Sequence, residues 1–195
     1  MYEWWAMEES SHSKNKSVPD PKLVGYCGLY CGACDILRLY REGVETGRTP
    51  EWSDLPERLR EHLPFKPSPI RCHGCKSDTV FAGCGHCPLR SCALKRANVE
   101  ICSDCEKYPC LRIRLVGLMM RLFSVMKKLP HQQTKEPNLA RIRSVGVVQW
   151  LAEQEHQWRC PQCHSSFSWY RATCTSCGKD LTSLKGFLVH VGKVS

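Results

Sequence analysis

The sequence predicts a small, metal-stabilised protein of the α+β class, with a Cys-rich, mostly helical or irregular N-terminal module followed by a C-terminal zinc ribbon. Of its fifteen cysteines, eleven lie between Cys27 and Cys110, and the other four form two C-x2-C pairs near the C-terminus. Without cysteine, roughly a third of the chain is apolar, so the available core is modest. Metal binding would then contribute to the folding free energy.

The C-terminal cysteines have the spacing of one tetrahedral metal site. Cys160 and Cys163 are followed, after ten intervening residues, by Cys174 and Cys177. Two such pairs supply four soft ligands to one ion, which is the pattern of a zinc ribbon. The residues between the pairs, SSFSWYRAT, are rich in strand formers. Buried structural cysteines or disulfides are the disfavoured alternative, because an odd number of cysteines cannot form a closed disulfide framework.

The eleven N-terminal cysteines divide by spacing into two sets of four and one of three. These sets are Cys72, Cys75, Cys84 and Cys87; Cys92, Cys102, Cys105 and Cys110; and Cys27, Cys31 and Cys34. The spacing C-x2-C-x4-C occurs twice, which also allows interleaved sites, and the sequence leaves the pairing open. His73, His86 and His164 each lie beside a C-x2-C pair, where a histidine is either a replacement ligand or a solvent-exposed turn residue.

The metal at the N-terminal cysteines is either zinc or an iron–sulfur cluster. Zinc is favoured because most of the C-x2-C pairs are isolated, whereas Cys87-Pro88 and Pro109-Cys110 are compatible with a cluster. Cys27, Cys31 and Cys34 have the spacing with which radical S-adenosylmethionine enzymes hold a cluster. The chain lacks the βα pattern of their barrel, so a three-cysteine metal site completed from elsewhere is the preferred interpretation.

Four segments are predicted: a flexible tail (1–22), a Cys-rich metal-binding module with a supporting helix (23–129), a linker and helix (130–157), and the zinc ribbon (158–195). A helix should begin at Asp35 and stop at Gly43, and another should follow Asp54. The longest helix candidate is 111–129. One face carries Leu111, Leu115, Leu118, Leu122, Val125 and Leu129, and we expect it to face the core rather than a partner protein. A further helix is expected from Ser144 to Gln154, with Val147, Val148 and Leu151 buried.

Charge and composition constrain the function. The formal net charge is +9, but four divalent ions with fifteen thiolates would add −7 and leave about +2, so charge is weak evidence for nucleic-acid binding. No signal peptide and no apolar stretch of about 20 residues is found, so we expect no membrane association and a cytoplasmic location, where thiols stay reduced. No catalytic constellation is found.

The resulting functional prediction is a cytosolic zinc-binding protein that acts as a non-catalytic interaction or adaptor module, with another protein as its partner. The first alternative is an iron–sulfur redox or electron-transfer accessory protein. The second is a zinc-ribbon nucleic-acid binder using Arg141, Arg143, Arg159 and Arg171. The oligomeric state is left open.

Four motifs together resemble a known family: YCGLYCGACD from Tyr26, CHGC from Cys72, SCALKRANVEICSDCEKYPC from Ser91 and WRCPQC from Trp158. They are similar to the cysteine-rich domain of unknown function 3795, and the resemblance covers residues 23 to 180. Longer members look similar in adding a C-terminal ribbon. The resemblance implies a small prokaryotic metal-binding protein, often from anaerobes, and it transfers no catalytic residue.

Overall fold

The computed structural model describes residues 19–63, 66–67 and 69–184. Most of the predicted tail (1–22) and the last part of the predicted ribbon (185–195) therefore lie outside the described residues. The described chain is mostly helical. Its α-helices are α1 (Asp35–Thr46), α2 (Glu57–His62), α3 (Ala82–Gly85), α4 (Pro88–Ala93), α5 (Leu111–Leu122), α6 (Val125–Lys128), α7 (Lys135–Val145) and α8 (Val147–Gln157).

Short 3-10 helices and isolated β-bridges complete the structure. The 3-10 helices are Pro21–Leu23, Cys31–Ala33, Trp52–Asp54, Cys102–Asp104 and Pro130–Thr134. Within the described ranges the β-structure consists of three antiparallel bridges, Val24 with Tyr30, Arg159 with Ser166, and Thr173 with Asp180. The strand-rich segment between the C-terminal cysteine pairs therefore forms no extended strand. The described residues are therefore mostly helical, and the β part of the predicted α+β class is limited to these three bridges.

Helix α1 begins as predicted but ends one turn later. Asp35 lies in its first turn, where the positive end of the helix dipole stabilises a carboxylate. The helix runs past Gly43 and ends at Thr46, and the left-handed backbone of the following Gly47 (φ 67°) closes the last turn. Gly43 is needed for packing instead, since a Cβ there would lie 2.5 Å from the carbonyl oxygen of Arg48. The predicted stop at Gly43 was therefore wrong.

Helix α5 packs on the core with the face opposite to the one that the sequence predicts. Ile113 is its buried residue, with Val116 partly buried against the core. Leu111 and Leu122 are 71% and 68% exposed, and Leu115 and Leu118 are exposed as well. The predicted core face is therefore wrong for these four leucines, which form a leucine stripe on the surface. Leu129, from the same predicted face, is buried, and Val125 is partly buried against the core. The helix ends at Leu122, and Ser124 adopts a left-handed conformation (φ 55°) before α6.

The segment from 130 to 157 is helical almost throughout, including the part expected to be a polar linker. Helices α7 and α8 contact each other across Gly146. Trp150 and Leu151 are the buried residues of α8, whereas Val148 is 61% exposed. Leu151 thus has the predicted position, and Val148 was wrongly assigned to the buried side.

One hydrophobic core joins the two cysteine-rich ends of the chain. Its most deeply buried large side chains include Leu37 of α1, Ile101, Trp150 of α8, Trp158 and Leu181. Trp150 packs edge to face on Tyr30, with 6.0 Å between ring centroids, so α8 lies against the Cys27–Cys34 segment. None of the helices in the described residues is long and apolar enough to span a bilayer.

Candidate metal centre

Four C-terminal thiols, here called the four-thiol site, converge as the sequence predicts. The Sγ atoms of Cys160, Cys163, Cys174 and Cys177 all lie within 4.8 Å of one another. The Sγ–Sγ distance is 3.7 Å between Cys160 and Cys177, and 3.6 Å between Cys163 and Cys174. Ligands about 2.3 Å from one tetrahedral ion would be about 3.8 Å apart. The arrangement therefore fits a single four-coordinate metal ion.

Two turns of the same backbone geometry present these thiols. In the first, the N–H of Cys160 donates to the carbonyl of Ser165, and the N–H of His164 donates to the carbonyl of Cys160. In the second, the N–H groups of Cys174 and Gly178 donate to the carbonyls of Lys179 and Cys174. His164 (φ 58°) and Gly178 (φ 73°) occupy equivalent left-handed positions. His164 is therefore a turn residue rather than a member of the four-thiol site.

This equivalence predicts opposite effects of two substitutions. Gly178→Ala should destabilise the protein by about 1 kcal/mol, because an L-residue pays for a left-handed conformation and the space around Gly178 is open. His164→Gly should stabilise it by up to about 1 kcal/mol for the same reason. Urea denaturation of the metal-loaded chain measures both. Equal signs for the two changes would contradict the equivalence of the two turns.

Hydrogen bonds favour the thiolate form of Cys163. The Ser165 hydroxyl lies 2.8 Å from the Cys163 Sγ. That hydroxyl, and then the backbone N–H of Ser165, lowers the pKa of Cys163 to about 6. Zinc binds thiolates rather than thiols, so these donors prepare the sulfur for a cation. Sequence analysis did not identify Ser165; its position two residues after a C-x2-C pair is the signal that could have done so.

The segment between the two turns packs against the start of α1. The N–H of Trp169 donates to the carbonyl of Ala33 at 3.0 Å. The guanidinium of Arg38 binds Ser166, with Nη1 2.8 Å from its Oγ and Nη2 2.7 Å from its carbonyl oxygen. Ala33 directly precedes Cys34, so these contacts link the four-thiol site to the N-terminal cysteines.

A buried carboxylate completes this contact. Asp35 is 3% exposed, and its Oδ1 accepts a hydrogen bond from the Ser168 hydroxyl at 2.6 Å. Its Oδ2 has no hydrogen-bond partner among the described residues. Burial raises the pKa of Asp35 to about 6. Burial disfavours the charged carboxylate, and the hydrogen bond from the Ser168 hydroxyl stabilises it.

Ser168→Ala should destabilise the protein by about 1.5–3 kcal/mol, because a buried carboxylate would lose its hydroxyl donor. The measurement is the free energy of unfolding in urea at neutral pH. Ser183→Ala is the matched control, since Ser183 is exposed and should cost almost nothing. A loss at Ser168 no larger than that at Ser183 would contradict this role.

A second group of cysteines from the predicted sets surrounds a small cavity. Cys92, Cys102, Cys105 and Cys110, here called the second cysteine set, line a space of about 30 Å³ together with Arg96. Burial, and then the charges of Cys27, Cys110 and Cys92, raise the pKa of Cys102 to about 12. A divalent cation would reverse that direction, because a coordinating thiol is deprotonated. The cavity therefore gathers the four residues that the spacing grouped.

The other seven cysteines come from three separate stretches of the chain, residues 27–34, 72–75 and 84–87. The backbone N–H of Cys75 donates to the Sγ of Cys31. Burial, and then the charges of Cys34 and Cys75, raise the pKa of Cys31 well above its ordinary value. Burial, and then the charge of Cys72, raises the pKa of Cys34 to about 12. Cys31 and Cys34 therefore adjoin Cys72 and Cys75, although about 40 residues separate the pairs.

The remaining three of these seven cysteines lie around this group. Desolvation, and then the charges of Cys34, Cys72, Cys75 and Cys31, raise the pKa of Cys84 well above its ordinary value. Burial raises the pKa of Cys27. The charge of Lys135 lowers this pKa and the charge of Cys87 raises it, and the net shift is upward. Among the described residues, the four-thiol site is the group whose ligand atoms all lie within 4.8 Å of one another. The N-terminal thiols are therefore more widely spaced.

The histidines beside the N-terminal pairs are placed differently. The ring of His73 packs edge to face on Tyr40, with 4.9 Å between centroids, and its Nε2 lies 3.3 Å from the Tyr40 hydroxyl. His86 follows the end of α3. All fifteen cysteines lie in the described ranges, and none is in a disulfide. The His73 ring is engaged by Tyr40.

The fold and the site define a mostly helical, cysteine-rich protein with a four-cysteine cluster suited to a metal ion. Residues 23–115 match the family described as Protein of unknown function (DUF3795). The resemblance inferred from the motifs is confirmed over those residues, and the match does not include the four-thiol site. No curated protein and no solved structure matches the chain.

Proposed function

We propose that this protein is a zinc-binding, non-catalytic interaction module, in which metal sites hold the surfaces that contact a partner protein. The observation that carries the zinc assignment is the 3.6–3.7 Å separation of thiols in the four-thiol site. That separation suits one tetrahedral ion. Zinc is the divalent ion that structural four-cysteine sites built from two C-x2-C pairs ordinarily hold, so the predicted zinc ribbon is part of this proposal.

Two further zinc sites are proposed in the N-terminal module. One is the second cysteine set, whose four members share a cavity. The other is an interleaved site formed by Cys31, Cys34, Cys72 and Cys75, supported by the hydrogen bond from the Cys75 N–H to the Cys31 thiol. It repeats the two C-x2-C pairs of the four-thiol site. This pairing leaves Cys27, Cys84 and Cys87 as the incomplete set, in place of Cys27, Cys31 and Cys34.

The interaction role rests on the exposed leucine stripe of α5. A helix that buries its Ile113 side and leaves Leu111, Leu115, Leu118 and Leu122 on the surface exposes apolar area of the kind that marks binding sites. The proposed thiolate sites suit a reducing compartment, in line with the predicted cytoplasmic location.

An iron–sulfur electron-transfer protein is the second candidate. It is favoured by the number of cysteines in this region, since the charges of Cys34, Cys72, Cys75 and Cys31 all raise the pKa of Cys84 after desolvation. The nucleic-acid alternative has less support. The guanidinium of Arg141 binds Glu153 at 2.6 and 3.0 Å, and that of Arg143 lies over the Tyr108 ring. Those two cations are thus already engaged within the chain.

Metal analysis of protein purified without oxygen tests the proposal. We expect about three to four zinc ions per chain, no visible absorption, and no acid-labile sulfide, since fifteen cysteines supply three complete four-thiol sets. A brown protein with iron and sulfide in near-equal amounts would reject the zinc assignment of the N-terminal module and select the electron-transfer candidate.

A further inference from the structure

The surface of α5 continues into a groove that borders the second cysteine set. A hollow of about 590 Å³ is lined by the apolar residues Leu111, Leu115 and Val116 and by the cations Arg96, Lys107 and Arg112. A neighbouring hollow of about 390 Å³ is lined by Ser91, Cys92, Lys95, Arg96 and Arg112. The two share Cys92, Arg96 and Arg112. They form one continuous surface, here called the basic–apolar groove.

The groove is strongly positive. Its described lining includes four cations, Lys95, Arg96, Lys107 and Arg112, and no Asp or Glu. Arg96 donates to the thiol of Cys92, so part of its charge faces the cysteines. A zinc ion with four thiolates would contribute −2, which leaves about +2 in the groove. Lys95, Lys107 and Arg112 form no ion pair with a described carboxylate.

The apolar residues that line the groove favour one class of ligand over another. A single-stranded nucleic acid needs aromatic side chains on which its bases stack, and the described lining contains none. Aliphatic side chains between fixed cations suit an apolar anchor flanked by carboxylates, the pattern of an amphipathic acidic peptide. Leu111 is 71% exposed, so its side chain is accessible to such a ligand.

We propose that the basic–apolar groove binds an acidic peptide segment of a partner protein. An apolar side chain of that segment lies on Leu111 and Leu115, and its carboxylates face Lys95, Lys107 and Arg112. This inference rests on the proposed role as an interaction module, and it specifies the chemistry of the partner.

The test is a selection of short random peptides displayed on phage against the full, metal-loaded chain. Enriched peptides should carry net negative charge and one large apolar side chain. Fluorescence anisotropy of an enriched peptide should show about tenfold weaker binding for Leu111→Ser and for Arg112→Glu. The matched controls are Leu122→Ser and Arg114→Glu, exposed positions of the same helix that do not line the groove, and they should bind as the parent does.

Several outcomes would overturn the inference. These are the absence of enrichment, enrichment of neutral or basic peptides, or equal losses in groove and control variants. Binding of random single-stranded DNA that Arg112→Glu abolishes would assign the groove to nucleic acid instead. A dimer in sedimentation that Leu111→Ser dissociates would assign it to a second copy of the chain.

Metal content separates a failure of the groove from a failure of the proposed function. Zinc, iron and sulfide are measured for each variant, and Lys107→Glu serves as a second charge variant should Arg112→Glu lose metal. A zinc-loaded parent that selects no acidic peptide rejects the groove alone. An iron–sulfur protein that selects acidic peptides through Leu111 and Lys107 retains the groove and rejects the zinc assignment.

Discussion

Cys160→Ser and Cys174→Ser, each made alone, are expected to remove one zinc ion per chain and to unfold the region from Trp158 to Leu181. Both thiols are almost fully buried, and no other described residue can replace them at the four-thiol site. Structural zinc supplies an apparent binding free energy of about 10–16 kcal/mol in small zinc-binding peptides. A loss on that scale exceeds the stability that a small packed region can retain.

The measurement combines zinc per chain by mass spectrometry with tryptophan fluorescence. Trp158 and Trp169 are 1% and 5% exposed, so unfolding of this region should shift their emission to the red. Ser176→Ala, at an exposed non-ligand position within the second turn, is the control and should retain the zinc and the spectrum. Cysteine variants that stay folded with a full zinc complement would reject the four-thiol site.

The second large effect is a pattern of metal loss in the N-terminal module. Cys31→Ser and Cys75→Ser should each remove one metal ion, and the double variant should lose no more than either single variant. The reason is that the interleaved pairing assigns both thiols to one site, as the hydrogen bond from the Cys75 N–H to the Cys31 thiol suggests. Coupled residues of one site give non-additive effects.

Native mass spectrometry of the variants counts the ions in each chain. Combining Cys31→Ser with Cys110→Ser should remove two metal ions, because Cys110 belongs to the second cysteine set. Under the sequential grouping, Cys31 and Cys75 belong to different sets, so their double variant would lose two ions. That result would reject the interleaved site and restore the sequential one.

The comparison of α1 and α5 shows why one helix was predicted better than the other. At α1, the predicted start agrees with the structure, because the acidic Asp35 in the first turn is a local signal. At α5, both faces carry apolar residues, so periodicity alone could not choose between them. The choice depends on α4 and α7, since Leu89 of α4 and Lys135 of α7 line a cavity together with Ile113 and Val116. That arrangement is a long-range property of the fold.

The candidate sites divide in the same way. The four-thiol site lies within eighteen consecutive residues, and the spacing of two tight turns suffices to bring Cys160, Cys163, Cys174 and Cys177 together. The N-terminal cysteines are spread over more than eighty residues, so their proximity is set by packing. Asp35 and Ser168 carry no spacing signal that relates them to each other, and sequence analysis did not identify their contact.

The sequence by itself determined the cysteine-rich class, the resemblance of residues 23–115 to a known family, the membership of the four-thiol site and the start of α1. Each of these depends on residues that are close in the chain, where turn geometry and helix capping act without help from distant contacts. Only the tertiary structure decided that Cys31 and Cys34 lie beside Cys72 and Cys75, and that the leucine stripe of α5 faces outward. Both depend on which distant surfaces pack together, because one core of Leu37, Ile101, Trp150 and Leu181 joins the whole described chain.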